Sequence, residues 1–463
     1  MYSVSRHLKN QRLFFLTGKT MDYKWRIQQL DLLENMLLSG SEDILNSLYL
    51  DMHKPPAEAY ASEIAPVLSD IRYAKKNLRF WMNPKRLDIP FLNLFTKGIQ
   101  YLQPFGIILI IGPWNYPFGL LLKPLVFAIS AGNCVLVKPS EFAPASSRVI
   151  TDLINKTFNN LSIACFEGNI NSTLQVIKNE EVDRVFFCGG EITGRNVMQS
   201  CTRNLIDHKH ENYCLNPCII DIDVPVKTTA RRIASGKFFN AGQTNFAPNI
   251  CFIHKKIKNE FTHSLTEVLN QFYGPTPRHS TAFARIINKI HFHRIKTLLR
   301  SSNGKVIEGG ILDEESLYIS PTLIEIENNN DPLFYDNIFG PVLPLIYYDS
   351  IDEVIKTLRQ KSPLHSISLF TVNSACKELV RGGIVSENYC VNGIPHFMAN
   401  NFGSFETIPK KDMITYRSNT TIDTFSFKRS EIQKPFFPDL KIFYPPYNVP
   451  LWLMKKTANT IIL

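Results

Sequence analysis

The chain has no hydrophobic run long enough to cross a bilayer. Residues 118–131 are apolar but interrupted by Lys123 and Pro124, and residues 449–463 are broken by Lys455 and Lys456, so neither reaches the roughly 20 residues of a spanning helix. Internal repeats and low-complexity segments are absent, and 44% hydrophobic with 20% charged residues excludes a disordered chain. The N-terminus offers only a short apolar cluster at residues 13–16, and no signal peptide is expected. The nine cysteines are odd in number and scattered, which excludes a disulfide framework. The reducing cytoplasm is therefore the expected setting, with peripheral membrane contact through the tail left open. Lys and Arg outnumber Asp and Glu by 51 to 41, a net charge of +10 that favours acidic partners in general. No block of clustered Lys and Arg accompanies it, so nucleic acid is not an expected partner.

What is present is a pattern of alternating elements in a chain of 463 residues, long enough for two or three domains. Residues 23–87 read as helices, with Ile27, Leu30, Leu33 and Met36 or Leu37 at helical spacing and a break at 51–56. Residues 107–111, all Ile or Leu, predict a buried strand closed by Gly112-Pro113. An apolar helix follows Pro117 and ends near Gly132-Asn133. Residues 134–137 predict a second strand, 144–158 a helix, and 184–188 a strand running into Gly189-Gly190. Strands alternating with helices predict an α/β fold with a doubly wound parallel sheet, whose ligands sit at the carboxyl ends of the strands.

Three turns after predicted strands carry unusual segments. They are Gly112-Pro113-Trp114-Asn115-Tyr116-Pro117, then Lys138-Pro139-Ser140-Glu141, then Gly189-Gly190-Glu191-Ile192-Thr193-Gly194. Further along lie His210-Glu211-Asn212-Tyr213-Cys214-Leu215-Asn216-Pro217-Cys218, Gly242-Gln243-Thr244-Asn245 and Asn337-Ile338-Phe339-Gly340-Pro341. Together with Arg26-Ile27-Gln28-Gln29-Leu30, Phe425-Ser426 and Tyr444-Pro445-Pro446, this set resembles the aldehyde dehydrogenase superfamily, in its class 3-type branch of fatty and aromatic aldehyde dehydrogenases.

The resemblance implies a fold and a site. It implies helices and a Rossmann-like cofactor domain over residues 1–208, a catalytic domain over 209–387, a return segment and bridging arm over 388–430, and a tail over 431–463. The arm usually pairs two subunits into a dimer. Asn115 matches the asparagine whose amide donates to the oxyanion of the tetrahedral intermediate, with Trp114 beside it at the cofactor. Lys138 and Glu141 match the pair that meets the adenine ribose of NAD or NADP. Gly189 and Gly194 match the glycines that bring a helix N-terminus to the pyrophosphate. Glu211 matches the general base.

Departures from the pattern are as informative. Asn245 stands where the family carries its nucleophilic cysteine, and an amide nitrogen has no reactive anion near neutral pH. Glu191 enters the pyrophosphate turn, where a carboxylate aimed at the cofactor would add roughly 2–4 kcal/mol of repulsion. Asn337 replaces the glutamate that holds the nicotinamide ribose. Tyr213 and Cys214 replace a pair of glycines, and residues 404–414 have lost every glycine of a conserved turn.

The expected protein is thus a pseudoenzyme with its nucleophile gone and NAD or NADP binding weakened or lost. It would act by binding an aldehyde-like or lipid-like molecule, or by pairing as a homodimer or as a heterodimer with an active relative. The alternative is an active NAD(P)-dependent aldehyde dehydrogenase of medium- or long-chain or aromatic aldehydes, working through a rearranged loop or another thiol. Cys251 lies in an apolar strand pattern, buried and inert, while Cys214 and Cys218 fall on a different segment from the attacking position. Ester hydrolysis, with Glu211 activating water under the Asn115 amide, is a third reading. His208, His210, Cys214 and Cys218 are acceptable zinc ligand types, but their spacing matches no zinc ribbon or finger, and no metal is expected.

Overall fold

The computed structural model describes residues 2–88, 96–179, 181–203, 207–211, 215–327, 329–361, 364–395, 421–437, 444–446 and 450–452; the side chains of 207–211 lie outside that description. Helices open the chain as the apolar spacing predicts. Tyr23–Ser39 buries Leu30, Leu33, Met36 and Leu37, and its N-cap Asp22 accepts from Trp25 N at 3.2 Å. The helix Ser41–Met52 ends at His53, left-handed at φ 48°, so the break expected at 51–56 falls there.

Strands β1 (Lys85–Leu87) and β2 (Lys97–Pro104) pair antiparallel. Next come β3 (Ile107–Ile111), β4 (Cys134–Lys138), β5 (Ile163–Cys165), β6 (Arg184–Cys188) and β7 (Asp207–Glu211), a five-stranded sheet in the order β5-β4-β3-β6-β7 with every pairing parallel. Every residue of β3 is buried. Its even-numbered residues face a core shared with the helix Gly119–Ala131, and its odd-numbered residues face Leu8, Val185 and Val197 on the other side. A strand covered on both faces needs no polar residue in its alternation, which is why 107–111 reads as a continuous apolar run.

The second sheet uses β8 (Pro217–Ile220), β9 (Ile250–His254), β10 (Lys305–Glu308), β13 (Thr322–Glu325), β14 (Val342–Tyr348), β15 (Leu364–Phe370) and β16 (Ser386–Val391). Between them β11 (Leu312–Asp313) and β12 (Tyr318–Ile319) form a small hairpin. The seven strands run in the order β10-β13-β14-β9-β8-β15-β16, parallel except at β10. Finally β17 (Ser426–Gln433) lies antiparallel along β2.

The expected doubly wound parallel sheets are therefore present. The boundary expected between 208 and 209 falls inside β7, which pairs with β6. The second sheet runs past residue 387 to Val391, because β16 pairs with β15.

Candidate active site

The first sheet changes direction between β3 and β6: the chain steps outward to β4 and β5 on one side, then to β7 on the other. In an open parallel sheet such a reversal puts the ligand crevice outside the carboxyl ends of the strands. Four sequence-expected segments converge on it. Gly112 N donates to Lys138 O at 3.1 Å, joining the turn after β3 to the end of β4. Lys138 is almost wholly buried and its ammonium is paired with the carboxylate of Glu141. Trp114 is buried, with His291 4.6 Å from its ring centre and Phe339 edge-on at 5.5 Å.

The turn after β6 is close-packed on one side and open on the other. A Cβ at Gly189 would lie 2.7 Å from the Phe187 ring, whereas one at Gly190 would meet nothing within 4 Å. The helix Glu191–Arg203 starts here, and Gly194 N closes its first turn on Gly190 O at 2.9 Å. Glu191 hydrogen-bonds Arg195 one turn along, with both side chains more than half exposed. Its carboxylate is turned along the helix toward solvent, so most of the repulsion expected toward a pyrophosphate is screened.

Glu211 ends β7, with Cys188 of β6 as its Cα partner. That neighbour was not among the thiols considered from sequence. It is the last residue of a buried apolar strand, and only the pairing of β6 with β7 places it opposite the base position. The side chain of Glu211, together with Tyr213, Cys214 and residues 404–414, lies outside the described residues.

The second sheet supplies the loop between the helix Val226–Phe238 and β9. Asn240 and Ala241 are both left-handed, at φ 52° and 50°, which costs non-glycine residues roughly 1–2 kcal/mol each. Gly242 follows at φ 72°, where a Cβ would stand 2.2 Å from Gly340 O. Hydrogen bonds hold this path. Asn240 Nδ2 donates to Asn115 O at 3.0 Å and to Gln243 O at 3.1 Å, and Asn115 Nδ2 donates to Gln243 O at 3.3 Å. Gln243 is locked in turn, donating to Arg285 O at 2.9 Å and accepting from Ile287 N at 3.0 Å. The oxyanion candidate and the loop with Asn245 are thereby one hydrogen-bonded unit. The Asn115 amide carries a second hydrogen that this contact does not use.

Asn245 is half-buried, its carbonyl accepts from Asn216 Nδ2, and its own Oδ1 is enclosed without a hydrogen-bond partner among the described residues. Asn216 also accepts from Ser366 Oγ at 2.7 Å. Asn249 accepts from Asn216 N at 2.9 Å and donates to Asn337 Oδ1 at 3.4 Å, a long contact. Asn337 is exposed, and Arg294 grips its carbonyl at 2.7 Å.

No thiol stands in for Asn245 on this loop. Cys218 and Cys251 face each other across β8 and β9, wholly buried, and burial first and the neighbouring thiol second push Cys218 well up. Lys237, at the end of the helix Val226–Phe238, is also buried, and that burial lowers its ammonium to about 7. Among the described residues there is no cluster able to hold a metal ion. His208 and His210 by their side chains, and Cys214 altogether, lie outside them.

A model of the aldehyde dehydrogenase family matches residues 5–403. The chain belongs to that family. It is similar to the 4,4'-diaponeurosporen-aldehyde dehydrogenase of Staphylococcus aureus, 35% identical over 448 residues, 97% of each chain. It is also similar to the canine "aldehyde dehydrogenase, dimeric NADP-preferring", 30% identical over 453 residues, 96% of this chain and 98% of that one. The solved substrate-bound state of Staphylococcus aureus AldH superimposes with a TM-score of 0.93 at 35% identity, covering 98% of this chain and 99% of the other. Aldehyde dehydrogenases of this family handle aldehydes with a nicotinamide cofactor. Of the residues that the family resemblance assigns to that cofactor, Lys138 and Glu141 pair at the end of β4, and the space at Gly190 is clear in front of a helix N-terminus. Asn337 keeps a hydrogen-bonding amide but no charge.

Proposed function

We propose that this chain is an aldehyde dehydrogenase family protein that keeps the cleft for an aldehyde-like or lipid-like molecule and lacks its thiol nucleophile. It acts by binding, as a homodimer or paired with an active relative. The observation that carries this reading is Asn245, tied by its carbonyl to Asn216 in the loop that Gln243 locks against Asn115. Lys138, Glu141, Trp114, Gly189, Gly194 and Asn337 would hold NAD or NADP, which supplies a hydride acceptor when bound, more weakly than in relatives. The canine relative's name supports both a nicotinamide cofactor and a dimer. A cytoplasmic setting agrees with the eight described cysteines being buried thiols.

In this reading the Asn115 amide donates to a carbonyl oxygen in the cleft, and Glu211 is the residue to accept a proton. The first stabilises an aldehyde or its hydrate. Neither supplies the covalent step. Loss of a covalent nucleophile costs on the order of 10³–10⁶ in rate.

The wild-type protein is expected to show no NAD(P)-dependent oxidation of aldehydes. Asn245→Cys is expected to introduce a thiol that reacts quickly with iodoacetamide and to raise turnover by at least about a hundredfold. Robust wild-type oxidation of medium- or long-chain or aromatic aldehydes would sink the reading and establish the second one, an active enzyme. That second reading draws on the intact Lys138–Glu141 pair and on Cys188 standing opposite Glu211. Its discriminating result is loss of wild-type turnover on Cys188→Ser.

A further inference from the structure

Beneath the loop that carries Asn245 lies a group of ionisable side chains with no part in the chemistry described above. Lys54 and Glu63 form an ion pair at 2.8 Å with neither side chain exposed. Glu63 turns its other oxygen to the N–H groups of Phe118 and Gly119, at 3.2 and 2.8 Å, where the helix Gly119–Ala131 begins. Lys54 stands 4.2 Å over the Tyr116 ring. These contacts hold the far side of the turn that contains Asn115. Glu58 completes the group: it is half-buried, lies beside Lys54 and Glu63, and its Oε1 accepts from Asn240 N at 2.8 Å.

We propose that Glu58 is a positioning residue of the cleft: its carboxyl, set beside the Lys54–Glu63 pair, clamps the Asn240 N–H and makes the path of the loop leading to Asn245 depend on pH. Two consecutive left-handed residues other than glycine persist only where surrounding contacts hold them. Among the described residues, the Glu58 bond is the contact to the Asn240 backbone that comes from outside the loop and can change charge. An ionised carboxylate accepts an N–H more strongly than a neutral carboxyl, so the clamp tightens when Glu58 loses its proton.

The surroundings place that change near neutrality. Burial pushes the Glu58 carboxyl up to about 7, against the pull of Lys54 and the Asn240 N–H and with a further push from Glu63. The other titratable groups that face it among the described residues are Tyr116, after β3, and Tyr273, at the end of the helix Lys258–Tyr273. Burial pushes both hydroxyls far up, and Glu58 pushes them further, so they stay neutral throughout. Among the described residues, the loop meets Glu58 through the Asn240 N–H.

This role deepens the reading of the same cleft, and its test does not need that reading to be right. Hydrogen–deuterium exchange of the full-length protein is followed at residues 238–247, corrected for the intrinsic pH dependence of exchange, from about pH 5.5 to about pH 8.5. Protection of the wild-type Asn240 amide is expected to rise roughly tenfold through neutral pH. Glu58→Gln, which keeps an acceptor but cannot ionise, should hold one level across the range, and Glu58→Ala should be weakly protected throughout. The Gln variant carries the test where the Ala variant fails to fold. A wild-type profile without a pH step, or a Gln variant that keeps the step, overturns the proposal.

Discussion

Asn245, Asn337 and Glu191 show how far single residues decide the chemistry and where their neighbours intervene. Asn245 was readable as a missing thiol because reactivity belongs to the side chain itself. Glu191 was not fully readable, since its effect on a nucleotide depends on where the carboxylate points, and Arg195 four residues on turns it away. Lys237 makes a sharper case for environment over identity. The unfolded chain holds its proton up to the ordinary 10.5 and the folded one only to about 7, because burial penalises the charge. Folding therefore expels a proton between those values, so the associated stability is full above the higher one and lost as pH falls toward the lower one. At neutral pH the penalty is at most about 4 kcal/mol. Lys237→Met should raise the free energy of unfolding by roughly 2–4 kcal/mol at neutral pH, with the gain shrinking as pH approaches the lysine's ordinary value. Urea melts at two pH values measure it, and an equal gain at both would exclude a titrating Lys237.

At the scale of elements, β3, β4 and β6 of the five-stranded first sheet were legible almost to the residue, whereas β5 and β7 were not. The run 107–111 needs burial on both faces, and Gly112-Pro113 cannot continue it, so β3 begins and ends where the residues say. The loop after the helix Val226–Phe238 was legible as a motif but not as a shape. Its left-handed Asn240 and Ala241 are not residues that choose such angles unaided. They are held by Glu58 and Asn115, which come from two distant places in the chain, and by Gln243 of the loop itself. Gly242 is the one position there where glycine is required, by its positive φ and by the nearness of Gly340 O. Gly242→Ala is expected to destabilise the protein by about 3 kcal/mol or more. An unchanged urea midpoint would mean that the loop has another accessible path. The buried Lys54–Glu63 pair should be similarly intolerant. Lys54→Met leaves Glu63 without its counter-charge, and a loss of about 3–5 kcal/mol is expected from the same melts.

For the whole molecule, the cysteines test the packing. Nine are present, and the eight described ones are all buried. A water-soluble disulfide reagent should therefore find at most one fast thiol in the native protein, Cys214, which lies outside the described residues, and all nine after unfolding in denaturant. Two or more fast native thiols would show that one of these cores opens. The chain's own contribution at this scale was the order of its elements. Helices alternating with apolar strands leave few folds other than parallel sheets wound on both faces, so the architecture and family likeness followed from local pattern and a few turn motifs.

Sequence alone therefore determined which side chains exist: an amide at 245, a carboxylate at 211, a lysine and glutamate at 138 and 141. These are properties of covalent structure and of periodicities that act over a few residues. Tertiary structure alone decided which of them meet. Asn115 touches the Asn245 loop through Gln243, Cys188 stands opposite Glu211, and Glu58 reaches Asn240 across 182 positions. Such contacts depend on strand order, on the reversal between β3 and β6, and on the burial of charges far apart in the chain. No local pattern of residues encodes them.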